Sequence, residues 1–78
     1  MFKIGDKIVI NIGDFEPNQN YYNEEGTQQW INEDMIKLNG KTDSIRAVLK
    51  GNEYLLKNNS WRWLNTWLRP AKYNNTRW

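Results

Sequence analysis

The residues best suited to binding lie in the last third of the chain, where tryptophan alternates with arginine. Trp and Arg are enriched at the energetic centres of protein interfaces. A second aromatic group, a pair of tyrosines, lies within an acidic stretch. We predict a partner-binding surface made of seven side chains: Tyr21, Tyr22, Trp61, Arg62, Trp63, Trp67 and Arg69.

The competing interpretation places most of these rings in the hydrophobic core. A chain of 78 residues without cysteine needs a dense core, because no disulfide can stabilise it. Each aromatic side chain can bury roughly 150–250 Å². On this interpretation at least one of Trp61 and Trp63 is buried. The tyrosine pair is then a clip that packs its loop against the domain rather than a contact patch.

Catalysis is not expected from this sequence. The chain contains neither histidine nor cysteine, which excludes thiol nucleophiles, Ser–His–Asp triads and Cys/His zinc sites. Asp14, Glu16, Glu24 and Glu25 could chelate a hard cation, but their spacing matches no calcium loop. The glycines are scattered and form no phosphate-binding loop. We therefore predict a protein that is not an enzyme, with no catalytic residues, metal site or cofactor.

Charge is unevenly distributed between the two halves of the chain. Residues 1–40 carry three lysines and seven carboxylates, whereas residues 41–78 carry eight lysines or arginines and two carboxylates. A basic C-terminal half could contact phosphate groups or an acidic protein. Alternatively, the two halves fold together and neutralise each other locally, which we expect because small barrels interleave their N- and C-terminal strands.

The composition predicts one soluble domain. The longest aliphatic runs, such as Ile8-Val9-Ile10, are three residues long, too short to span a membrane. Charged and polar residues interrupt the start of the chain, so we expect no signal peptide and a cytoplasmic location.

Apolar periodicity predicts short strands joined by turns. Apolar residues at even positions predict a strand over 7–12, followed by a long polar loop over 13–29. Asn32 is a candidate N-cap for a short helical turn that Asn39-Gly40 ends. The remaining predicted elements are strands over 41–49, 53–57, 61–64 and 70–73, with a 3₁₀ turn over 65–68.

This order of elements predicts an all-β fold. The expected architecture is a small five-stranded SH3-like barrel with a long first loop and short 3₁₀ or helical turns. Residues 1–73 would form the single domain, and residues 74–78 a C-terminal tail.

The motifs also resemble those of the small SH3-like barrel proteins of phages and prophages of low-GC Gram-positive bacteria. The matching stretches are 2–10 (containing Gly-Asp-Lys), 30–35, 40–41, 54–56, 61–63 and 67–70. The chain departs from the family pattern at Leu64 and Trp67, and it lacks acidic residues after position 53. The resemblance implies a phage or mobile-element origin, and binding rather than catalysis.

We therefore expect a non-enzymatic binding module that docks on a host or phage protein and inhibits a host or defence protein. The first alternative is a nucleic-acid-binding barrel that stacks bases on its rings and uses its basic half for the backbone. The second is sequestration of a small nucleotide between rings. No membrane partner is expected, and the sequence predicts no oligomeric state.

Overall fold

The computed structural model describes residues 2–71 and shows a domain built from short strands. The strands are β1 (Lys7–Ile10), β2 (Asn20–Tyr22), β3 (Gln28–Trp30), β4 (Thr42–Leu49), β5 (Glu53–Leu56), β6 (Arg62–Leu64) and β7 (Leu68–Pro70). A four-residue helix, α1 (Glu33–Ile36), precedes β4, and a 3₁₀ turn (Asn65–Trp67) links β6 to β7. The all-β prediction is confirmed.

Five of the strands form one antiparallel sheet in the order β6-β5-β4-β1-β7. Ile8 of β1 lies opposite Asp43 of β4, and Val9 lies opposite Arg69 of β7. The last strand thus returns to lie beside the first, and within residues 2–71 β6 and β7 are the edges of the sheet. The register between β4 and β5 shifts between Ile45 and Ala47, an irregularity of the kind that bends a strand and increases its twist.

The core combines aliphatic residues with large rings. Its buried apolar side chains are Ile8, Ile10, Ile12, Ile31, Met35, Ile45, Tyr54, Leu56, Trp63, Leu64, Trp67 and Leu68. The rings of Trp63 and Trp67 meet edge to face, with 6.4 Å between their centroids, an arrangement that aromatic quadrupoles favour. Aromatic burial thus provides much of the core in a chain too short to bury many side chains.

The helical corner before β4 forms as predicted. The Asn32 side chain accepts a hydrogen bond of 2.9 Å from the backbone N–H of Met35, which is an N-cap. Glu33 and Asp34 lie in the first turn, where carboxylates interact favourably with the helix dipole. After this corner the chain reverses at Gly40, whose φ of +85° favours glycine.

The segment over 13–29, predicted to be a loop, contains most of a β-hairpin. β2 pairs with β3, and Tyr21 lies opposite Gln29. The turn between them is held by Asn23, whose side-chain oxygen accepts hydrogen bonds from the backbone N–H groups of Glu25 (2.8 Å) and Thr27 (2.9 Å). Sequence periodicity missed this hairpin because its strands are only three residues long and largely polar.

The last strand begins two residues earlier than predicted. β7 covers Leu68–Pro70 instead of residues 70–73, because the buried Leu68 continues directly from the 3₁₀ turn and pairs with Ile10. Pro70, which has no N–H to donate, ends the strand at the edge of the sheet, as expected for proline. Lys72, Tyr73 and the predicted tail over 74–78 lie outside the described residues.

Candidate functional site

Two of the predicted binding residues, Trp63 and Trp67, are core residues. Both side chains are 0% exposed. The indole N–H of Trp63 donates a 2.9 Å hydrogen bond to the Asn59 side chain, whereas Nε1 of Trp67 has no hydrogen-bond partner. In this structure neither ring can contact a partner. Trp63 and Trp67 are therefore part of the hydrophobic core, as the competing interpretation predicts.

The other three predicted residues of the C-terminal third lie at the surface. Trp61, immediately before β6, is 36% exposed, and Arg62 is exposed at the start of that strand. Arg69 is exposed on β7, and its guanidinium lies 3.3 Å from the carbonyl oxygen of Leu68. A binding surface drawn from this segment therefore contains one tryptophan rather than three.

The two tyrosines differ: one packs its segment against the domain, and the other is exposed at the surface. Tyr21 is half-buried, and its hydroxyl donates to the carbonyl of Glu16 and accepts from the N–H of Glu16, each at 2.9 Å. Its ring meets Phe15 edge to face at 5.4 Å and Trp67 at 5.8 Å. Tyr22 is 60% exposed. Tyr21 is therefore the clip, and Tyr22 is available for contact.

The side of the β2–β3 hairpin that carries Tyr22 also carries a second exposed ring, Trp30. Asn20 lies opposite Trp30 and Tyr22 opposite Gln28, and all four side chains are exposed. The Gln28 side-chain N–H donates a 2.6 Å hydrogen bond to the side-chain oxygen of Asn20, along one diagonal of this square. The two rings occupy the other diagonal. We call these four residues the hairpin outer face.

The opposite side of the hairpin is fixed to the five-stranded sheet through Glu53. This carboxyl group is 1% exposed, and its Oε2 accepts hydrogen bonds from the side chains of Asn23 and Gln29, the latter at 3.0 Å. Oε1 of Glu53 is buried without a hydrogen-bond partner. A buried carboxyl group is costly unless its oxygens are bonded, so the two amides stabilise both Glu53 and the hairpin position.

Acidic residues surround the hairpin outer face along the chain. Between positions 11 and 36 the sequence holds no lysine or arginine and six carboxylates. All six side chains are exposed: Asp14, Glu16, Glu24, Glu25, Glu33 and Asp34. This part of the surface is therefore strongly negative, although the whole chain has a net charge of +2.

A shallow depression of about 50 Å³ separates the hairpin from the 3₁₀ turn. Tyr22 lines it on one side, and Asn65 and Thr66 line it on the other. Thr66 also borders an open depression of about 590 Å³ that includes Phe2 and Arg69. Asn65 and Thr66 line both depressions, so the depression bordered by Tyr22 and the one bordered by Arg69 are adjacent.

Trp30 is the exposed ring that sequence reasoning missed. Its side chain is 48% exposed, which among the rings of the described residues is exceeded only by Tyr22 at 60%. Neither Gln28-Gln29-Trp30 nor Asn20-Tyr21-Tyr22 alternates polar and apolar residues in the sequence, so the exposure of Trp30 follows only from the pairing of the two strands.

Within residues 2–71, no three acidic side chains come close enough together to hold a metal ion. No helix in that range is both long and apolar enough to cross a membrane. The chain matches no protein-family model, and searches of curated proteins and of solved structures found nothing similar. The fold defines a small all-β domain with two exposed rings on one hairpin.

Proposed function

We propose that this protein is a non-enzymatic binding module that docks on a protein partner through the hairpin outer face. The observation that carries the proposal is the contrast between the two sides of the hairpin. Tyr21 and Gln29 face the sheet and fix the hairpin, whereas Tyr22 and Trp30 remain 60% and 48% exposed. Tyrosine and tryptophan are the residues that most often dominate binding energy at interfaces.

The fold that we propose for this module is an SH3-like barrel. Three features support it: the sheet order β6-β5-β4-β1-β7, the 3₁₀ turn between the last two strands, and the long connection between β1 and β4. The resemblance in the motifs is the ground on which we propose an origin in a phage or mobile element of a low-GC Gram-positive bacterium. The module would then act in the host cytoplasm, where inhibition of a host or defence protein is the role we favour.

Site-specific photocrosslinking tests the docking proposal. The full chain would carry a photoreactive amino acid in place of Tyr22 and be irradiated in nuclease-treated host lysate. The matched control carries it at Val48, which is 48% exposed on β4. We expect one protein to be crosslinked from position 22, not from position 48, and to be lost when Trp30→Ala is added. Crosslinks that do not depend on the position would contradict docking through this face.

Nucleic-acid binding is the second candidate, favoured by a group of cations on another part of the surface. Lys7 and Lys57 line a polar depression of about 260 Å³, and Lys57 and Arg46 line an adjoining one of about 440 Å³. Ser44 belongs to both depressions. These side chains could bind backbone phosphates.

The rings that this alternative requires for stacking are less available. Trp63 and Trp67 are buried, which leaves Trp61 as the exposed ring of the C-terminal third within the described residues. The same burial weakens the idea of a nucleotide held between rings. If phosphate contacts carry the affinity, binding of single-stranded DNA should fall log-linearly with salt. Absence of binding at low salt would remove the nucleic-acid alternative.

A further inference from the structure

We infer that the partner segment bound by the hairpin outer face is positively charged and carries arginine. This inference rests on the proposed docking function and adds the chemistry of the partner. Three properties lead to it: two exposed rings at a fixed spacing, an amide pair between them, and a stretch of chain, residues 11–36, whose charged side chains are all carboxylates.

The two rings suit a planar cation. Diagonal neighbours on one face of an antiparallel pair lie roughly 7–8 Å apart, so Tyr22 and Trp30 lie on either side of the Gln28–Asn20 amide pair, and a planar cation can lie over that pair between the two rings. A guanidinium group stacks on aromatic faces, and it does so more readily than an ammonium group. Tyr22 and Trp30 are 60% and 48% exposed, so part of each ring is open to a partner.

The amide pair adds a polar contact at the centre of the face. The hydrogen bond between Gln28 and Asn20 uses the amide nitrogen of Gln28 and the side-chain oxygen of Asn20. It orients both amides and leaves the side-chain oxygen of Gln28 as an acceptor. A guanidinium lying between the rings can donate to that oxygen, because its five N–H groups lie in one plane.

Charge complementarity favours a cationic partner over an apolar partner or a nucleic-acid backbone. Glu24 and Glu25 follow Tyr22 by two and three residues, and Glu33 and Asp34 follow Trp30 by three and four. Each ring is thus followed closely in the chain by a pair of exposed carboxylates. Arginine pairs with carboxylates through two parallel hydrogen bonds. An apolar partner would desolvate these charges without compensation, and a nucleic-acid backbone would be repelled by them.

A peptide titration of the full ¹⁵N-labelled chain tests this inference. The probes are three peptides of equal length in which serine alternates with arginine, lysine or glutamate. We expect the arginine peptide to shift backbone amide signals within residues 20–36 at low salt, the lysine peptide to bind several-fold more weakly, and the glutamate peptide not to bind.

Variants connect the binding to the face. Two exposed cation–π contacts correspond to about 5- to 30-fold in affinity, so Tyr22→Ala with Trp30→Ala should weaken arginine-peptide binding by that factor. Glu24→Gln with Glu25→Gln should weaken it several-fold. The control, Val48→Ala, truncates an exposed apolar side chain outside the hairpin and should leave binding unchanged. Retention of the dispersed spectrum shows that each variant is folded.

Three results would overturn the inference. The first is that the arginine peptide shifts signals outside residues 20–36. The second is that the two ring substitutions leave the affinity for the arginine peptide unchanged. The third is that the arginine and lysine peptides bind equally well. If any of these occurs while crosslinking from position 22 still captures one protein in a Trp30-dependent manner, the docking function stands and the chemistry assigned to the partner is wrong. If position-specific crosslinking also fails, both are wrong.

Discussion

The ring of Tyr21 meets the indole of Trp67 edge to face, with 5.8 Å between the two centroids. Trp67 belongs to the 3₁₀ turn and is fully buried, so this contact joins the hairpin to the centre of the core. Together with the hydrogen bonds to Glu53, it explains how two strands of three residues hold a defined position. An isolated hairpin of this length would not be stable in water.

Removing the carboxyl group of Glu53 should release the hairpin. Glu53→Ala leaves the amides of Asn23 and Gln29 without their shared acceptor, and an unsatisfied buried polar group costs about 1–3 kcal/mol. Urea unfolding measures this loss. Glu53→Gln retains one acceptor oxygen and should lose less, whereas Glu25→Ala at an exposed position should change stability by under about 0.5 kcal/mol. Equal effects of the three substitutions would show that the Glu53 carboxyl group does not hold the hairpin in place.

Tryptophan substitutions should separate core from surface. Trp67→Ala removes a fully buried ring, and such changes cost about 3–5 kcal/mol, which is comparable to the whole stability of a small domain. Trp67→Phe is the milder variant and should remain folded with a lower thermal midpoint. Trp30→Ala should have little effect on the same measurement. A larger loss from Trp30→Ala than from Trp67→Phe would show that the assignment of the two rings is wrong.

Gly51 should tolerate alanine less well than Gly26. Both have positive φ, +78° and +82°, so alanine at either position is strained by about 1–2 kcal/mol. At Gly51 the new Cβ would also lie 2.7 Å from the side chain of Asn23, whereas at Gly26 it meets open space. Chemical denaturation should therefore show a greater loss for Gly51→Ala, and hydrogen exchange should be faster in the hairpin. The reverse order would mean that the β4–β5 turn does not pack against Asn23.

Asn32 and Asn65, at the starts of the two helical segments, should differ in their contributions to stability. Asn32 is the N-cap of α1 and bonds through its side chain, so Asn32→Ala should cost about 1 kcal/mol. Asn65 is the first residue of the 3₁₀ turn, whose N-cap position is held by Leu64, so Asn65→Ala removes no N-cap and should cost less. Thermal unfolding of the two variants under one set of conditions makes the comparison. Similar losses would argue against a specific role for the Asn32 side chain.

Much of the sheet could be predicted from the sequence because its determinants are local. Ile8, Ile10 and Ile12 lie at alternate positions, and all three are buried as that spacing predicts. The turn after β4 combines Gly51 with Asn52, and both adopt positive φ. The N-cap at Asn32 was likewise visible, because capping depends on residues within three positions of one another.

The hairpin and the assignment of the rings could not be predicted because they depend on distant contacts. β2 and β3 are positioned by Trp67 and Glu53, which follow them by more than 20 residues. A strand over 61–64 would place Trp61 and Trp63 on one face, yet Trp61 lies before β6 and remains partly exposed while Trp63 is buried. Spacing alone does not show where such a short strand begins.

One side of the hairpin packs against the sheet, and the other side is exposed to solvent. Tyr21 and Gln29 hold the structure in place, while Asn20, Tyr22, Gln28 and Trp30 carry no share of the core. Substitutions at these four sites can therefore accumulate without unfolding the domain. A lineage facing a changing target could alter its recognition surface one residue at a time and keep the same scaffold.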